Sequence, residues 1–163
     1  MSTARTDREQ VELANTALYE AMEQGDFETL SGMWLPGDVS CVHPGWPVLR
    51  GSGEVLRSYA LIMANTEYIQ FFLTDVEVAV EGDIALVTCT ENILSGGPAE
   101  EEGELGPLVG QLVVATNVFR RTGDGWRLWA HHGSPVLADV TNGDDDEADD
   151  AGDGAGDGGT GVA

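Results

Sequence analysis

The sequence predicts an α+β fold in which amphipathic helices come first and a strongly curled antiparallel sheet follows. Two observations carry this. Up to Asn65 the apolar residues recur every three or four positions, and from Tyr68 onward they recur every two. The period-two segments also run to ten residues or more, against a usual strand of about five or six, and strands that long wrap rather than lie flat.

A chain of 163 residues is one ordinary domain with a single core. No apolar run reaches the roughly 18 residues of a membrane span. The opening MSTARTDREQ lacks the apolar stretch of a secretory signal, so a cytoplasmic protein is expected. Twenty-nine acidic residues face seven Arg and no Lys, for a net charge of −22. Nine of those acids and no base lie in residues 139–163, which leaves 20 acids against all seven Arg in the remainder. The folded part is therefore acidic as well and would repel nucleic acid and anionic membranes. Neither is expected as a partner. Cys41 and Cys89 sit in apolar strand-like runs and are expected as free, buried thiols.

Taken in order, Thr6 and Glu9 have the form of a capping box at a helix start. Val11, Ala14, Leu18, Ala21 and Met22 form its apolar stripe, and Gly25 stops it. Asp26 caps a short second helix over FETLSGMW, buried by Leu30, Met33 and Trp34. Pro36-Gly37-Asp38 is a turn, Val39 to His43 a strand, and Pro44-Gly45-Trp46-Pro47 a sharp reversal. Ser52 caps a third helix whose stripe is Val55, Leu56, Tyr59, Ile62 and Met63. Strands are then expected over Tyr68–Val80, Ile84–Leu94, Leu108–Arg121 and Trp126–Val136. Turns at Glu81-Gly82-Asp83 and Thr122-Gly123-Asp124-Gly125 join two of the pairs, and a polar loop over 95–107 joins the third. Residues 1–7 are expected to fray, 8–138 to form the domain, and 139–163, rich in Asp and Gly and poor in large apolar residues, to be a disordered tail.

Three segments resemble the SnoaL-like branch of the nuclear transport factor two-like (ketosteroid isomerase-like) superfamily. They are the helical hairpin around GDFETLSGMW, the turn VHPGWPVLRG leading into a helix, and the last hairpin VFRRTGDGWRLWAHHGS with Trp126, His132 and Ser134. The resemblance covers about residues 8–137. It implies a cone-shaped α+β barrel with a pocket between helices and concave sheet, and a homodimer through the outer sheet face. Family members include isomerases, dehydratases, polyketide cyclases and domains that only bind or dimerise.

Strand alternation proposes which side chains face that pocket. Trp126, Leu128, Ala130, His132 and Ser134 share one face of the last strand, with Arg127, Trp129 and His131 on the other. The resemblance turns the His132 face inward. Asn117, Cys89 and Glu91 are assigned inward on the two preceding strands, and His43 shares a face with Cys41. The candidate catalytic residues are thus Glu91, His132 and His43. The candidate ligand-binding residues are Trp34, Trp46, Tyr59, Tyr68, Cys89, Asn117 and Ser134, and the aromatics would suit a flat, apolar small molecule. His131 and His132 are adjacent and point apart, so no metal is expected. Neither a phosphate-binding glycine loop nor a Gly-x-Ser-x-Gly elbow is present, and no cofactor is expected. Three functions remain open: a pocket that binds a small molecule, an isomerase, dehydratase or cyclase that removes a proton next to a carbonyl, and a dimerisation module. For the last, Val76, Val78, Val80, Leu86 and Val114 are expected on the outer sheet face.

Overall fold

The structure, a computed structural model, describes residues 4–98 and 105–137. Helices α1 (Asp7–Gln24) and α2 (Phe27–Met33) come first, followed by the short strands β1 (Ser40–Val42) and β2 (Leu49–Arg50) and then α3 (Ser52–Ala64). Four long strands complete the chain: β3 (Tyr68–Glu81), β4 (Ile84–Pro98), β5 (Leu105–Thr122) and β6 (Gly125–Pro135). They form one six-stranded sheet in the order β2-β1-β6-β5-β4-β3. The fold is α+β as expected, with two differences. The sheet is open rather than closed into a barrel, and β1 runs parallel to β6, so it is mixed.

Local chemistry places the helices. The Thr6 hydroxyl accepts from the Glu9 amide at 3.2 Å and opens α1. Gly25 ends it in the left-handed region at φ 64°, where a side chain would be strained. Asp26 caps α2 through the Thr29 amide. Ser52, expected to cap α3, is instead its first residue. The cap position belongs to Gly51, and the Ser52 hydroxyl accepts from the Gly37 amide, tying the helix to the preceding turn. Thr6 and Asp7, expected to fray, are held. The Asp7 carboxylate takes both guanidinium nitrogens of Arg121 at 2.7 and 2.8 Å, and that guanidinium also stacks on Trp126. The expected tail over 139–163 lies outside the described residues. Most of the expected 95–107 loop is strand, since β4 continues through Pro98 and β5 begins at Leu105; residues 99–104 are not described.

Two bulges reset which side chains meet the helices. In β5–β6 the register shifts between Val118↔Ala130 and Phe119↔Leu128, so Trp129 is an extra residue. Trp126 and Leu128 point into the core before it, and His131 and Gly133 do so after it. The inward assignment of His132 and Ser134 is therefore corrected: both are exposed on the outer face, and His131 takes the interior. In β3–β4 the shift lies between Thr74 and Glu77, with Asp75 at φ 53°. Phe71 and Leu73 face inward before this bulge, and Val78 and Val80 after it. Val78 and Val80 thus belong to the core rather than the outer face, where Val76, Leu86 and Val114 do lie exposed. α1 packs on β3 and also reaches β6, three strands away, because the sheet curls around it.

Candidate functional site

The face that α1 turns inward is not wholly apolar. Asn15 and Tyr19 stand four and eight residues after Val11, beside Leu18, and both are buried. A polar group carried into a core costs about 1–3 kcal/mol if it finds no partner there. Both find partners on the sheet. Asn117, on β5, donates from Nδ2 to Asn15 Oδ1 at 2.9 Å and to the Tyr19 hydroxyl at 3.1 Å. Tyr19 donates in turn to Glu91 Oε2, on β4, at 2.5 Å. The remaining Asn117 atom, Oδ1, meets Nδ1 of its cross-strand neighbour His131 at 2.5 Å. A continuous relay therefore runs Glu91–Tyr19–Asn117–His131 across four elements, α1, β4, β5 and β6.

Its direction fixes a tautomer. Both Asn117 amide protons are spent on oxygen acceptors, so Oδ1 can only accept and His131 Nδ1 must carry the ring proton. His131 Nε2 is then the unprotonated ring nitrogen. His43, just after β1, is fixed the opposite way. Ser58 gives its one hydroxyl proton to the Val55 carbonyl at 2.6 Å, so its 2.8 Å contact with His43 Nε2 has the imidazole donating. His43 Nδ1 keeps its lone pair. Tyr59 and Trp46 hold this ring edge-on, with centroids 4.9 and 5.0 Å away. Pro44 closes the turn onto Gly133, where an added Cβ would stand 3.1 Å from the proline ring.

These groups share one cavity of about 240 Å³. Leu18, Met22, Ile62, Ile69, Phe71 and Ile93 give it apolar lining, while Tyr19, Glu91, His43, Tyr59 and His131 supply buried polar groups and Thr66 and Ser95 further hydroxyls. Trp46 and Gln111, both open to solvent, mark its mouth. Burial raises the Glu91 carboxyl above the ordinary glutamate value, and the Tyr19 hydrogen bond only partly offsets that. Burial lowers His43 to about 4. His131 falls to about 3, first through burial and then through the neighbouring His43 and His132. The Cys41 and Cys89 thiols, both free and buried, are pushed up by burial to about 12 and about 11.

Of the residues expected to form the site, Glu91, His43, Trp46 and Tyr59 line the cavity. Asn117 and Cys89 lie behind Tyr19 and touch it rather than the cavity. Trp34 is core, packed on Tyr59 with centroids 5.9 Å apart. Tyr68 donates to Gln70 Oε1 at 2.7 Å and does not line the cavity. His132 and Ser134 are on the other side of the sheet. Alternation and apolar periodicity passed over Tyr19 and His131, which line the cavity, and Asn15, which holds Asn117 behind it. Among the described residues no group of three or more His, Cys, Asp or Glu is placed to hold a metal, and no helix is long and apolar enough to cross a membrane.

A family model described as SnoaL-like domain matches residues 11–138. Among solved structures, a candidate dehydratase of the NTF2-like family from Streptomyces avermitilis is 75% identical, with a TM-score of 0.79 over 83% of this chain and 100% of its own. A candidate calcium/calmodulin-dependent protein kinase type II association domain from Thiobacillus denitrificans is 27% identical, with a TM-score of 0.63 over 77% of this chain and 94% of that one. The F-box protein SKIP8 of Arabidopsis thaliana is 25% identical over 127 residues, or 77% of this chain. The match spans only about half, 49%, of that curated protein. The helices, the curled sheet and the matched span agree, and the chain belongs to the SnoaL-like domain family of the NTF2-like superfamily.

Proposed function

We propose that the cavity binds a compact cyclic molecule and that Glu91 exchanges a proton with it. The observation that carries this reading is the relay itself: a buried carboxylate held by Tyr19, in a cavity with much apolar lining that two neutral imidazoles share. An engineered apolar cavity of about 150 Å³ admits benzene, so 240 Å³ suits one or two fused rings. A glutamate whose carboxyl burial raises holds its proton more readily than a surface carboxylate, which suits a group that exchanges protons with a ligand. An imidazole whose acid form is as unstable as that of His131 orients a ligand rather than carrying protons. The 75% identity to a candidate dehydratase favours proton-transfer chemistry over binding alone. Two measurements test this. A panel of one- and two-ring alcohols and ketones should quench Trp46 fluorescence on binding. The Glu91 carboxyl should titrate, by carbon NMR, above the ordinary value of 4.5. If no panel member binds, the cavity is not a ligand site. If Glu91 titrates at or below 4.5, it is no proton carrier.

A second reading concerns association. Phe72, Leu86, Leu112 and Val114 stand exposed on the sheet face away from the helices, on three adjacent strands. Such a patch favours burial against a second copy of the chain. Sedimentation at micromolar concentration is expected to give a dimer, and Val114→Glu to shift it to monomer. A wild-type protein that sediments as a monomer removes this reading.

A further inference from the structure

A second hollow, of about 200 Å³, adjoins the main cavity where α1 and α3 end, beside Glu23, Gly25, Met63 and Glu67. Four residues line both spaces: Met22 from α1, Ile62 from α3, Thr66 just after it and Ile69 from β3. One layer of half-buried side chains therefore divides the two. Its members differ in stiffness. Ile62, Thr66 and Ile69 are β-branched and restricted at χ1. Met22 is unbranched, with three rotatable bonds, and adapts to an irregular gap. A side chain with open space on two sides also lacks the close contacts that pin a core residue. Met22 follows Tyr19 by three residues on α1, so the movable member of the layer is the helical neighbour of the residue that holds Glu91.

We propose that Met22 sets the length of molecule the site accepts, and that the ligand is a ring carrying an unbranched chain. The ring occupies the main cavity, and the chain displaces the Met22 side chain and enters the second hollow. The inference rests on the reading of the main cavity as a ligand site and adds the substituent that the ring bears. Gly25 and Glu67, which line the second hollow, are exposed, so a polar group at the end of the chain keeps its water there. Met22 is thus a specificity-determining residue with no part in proton exchange.

The test uses 4-propylphenol and 4-heptylphenol, by calorimetry on the full chain. A longer chain binds any apolar surface more tightly, so the quantity read is the heptyl-to-propyl affinity ratio of each protein. Met22→Ala opens the partition and should raise that ratio at least about tenfold, and Met22→Trp closes it and should lower the ratio by a similar factor. A ratio unchanged in both variants overturns the inference and leaves the cavity a ligand site. Failure of both phenols to bind the wild type removes both. Amide NMR of the wild type reads the path of the chain without any variant. 4-Heptylphenol should shift the Gly25 and Glu67 signals, and 4-propylphenol should not. Heptyl-specific shifts at Trp46 and Gln111, with none at Gly25 and Glu67, would send the chain out through the mouth and overturn the inference.

Discussion

Replacing Asn117 by Leu is expected to destabilise the domain by about 3–5 kcal/mol at this fully buried site, although the two side chains share one branched heavy-atom skeleton. The cost does not come from a cavity. Leu removes three hydrogen bonds at once and strands three buried groups: His131 Nδ1–H, Asn15 Oδ1 and the lone pair of the Tyr19 hydroxyl. An abandoned buried donor or acceptor costs about 1–3 kcal/mol, and partial relaxation keeps the sum below three times that. The measurement is a urea midpoint with the slope unchanged. Asn15→Leu added to Asn117→Leu should cost less than the two single changes together, because the second removes an acceptor already abandoned. A loss under about 1 kcal/mol for Asn117→Leu would mean that the relay is not closed in solution.

The same residue shows where sequence reasoning reached and where it stopped. Asn117, Glu91 and Cys89 were assigned inward by alternation, and β4 and β5 are regular through that stretch, so Val87↔Asn117 and Cys89↔Ala115 pair in simple sequence. On β6 the same rule failed. A residue inserted at Trp129 reverses every side chain after it, and Trp-Ala-His-His-Gly reads equally well in either phase. The β3 bulge left more of a trace: Asp75 adopts φ 53°, a conformation that Asp tolerates better than the β-branched residues around it. Tyr19 and Asn15 were legible in principle. They fall on the α1 stripe at the spacing that Val11 sets, and a count restricted to apolar residues skips them. A polar residue on a buried stripe marks a required partner across the core, and here those partners are the relay.

The relay and His43 also make the domain acid-sensitive, with a sign that follows from the direction of each shift. His43 and His131 are held near 4 and 3, below the 6.5 of an unfolded chain. Their contribution is fully present above pH 6.5 and is lost as pH falls toward those folded values, since the unfolded chain takes up protons that the folded one refuses. Two such groups give at most about 2.7 kcal/mol per pH unit, so a loss on the order of 3 kcal/mol is expected between pH 7 and pH 5. Glu91 works against them. Its folded pKa is raised, so the folded state takes the proton first, and acidification toward the unfolded value of 4.5 relieves the cost of burying its charge. Glu91→Gln removes that compensation, and its stability should therefore fall more steeply than wild type below pH 6.5. Urea midpoints at half-unit pH intervals measure both slopes. Carbon NMR of the His43 and His131 rings should report neutral imidazoles at pH 5 while the domain is folded. Stability that stays level from pH 7 to pH 5 in the Glu91→Gln variant, or rings that charge near 6.5 in the folded protein, would mean that neither imidazole is held neutral by burial.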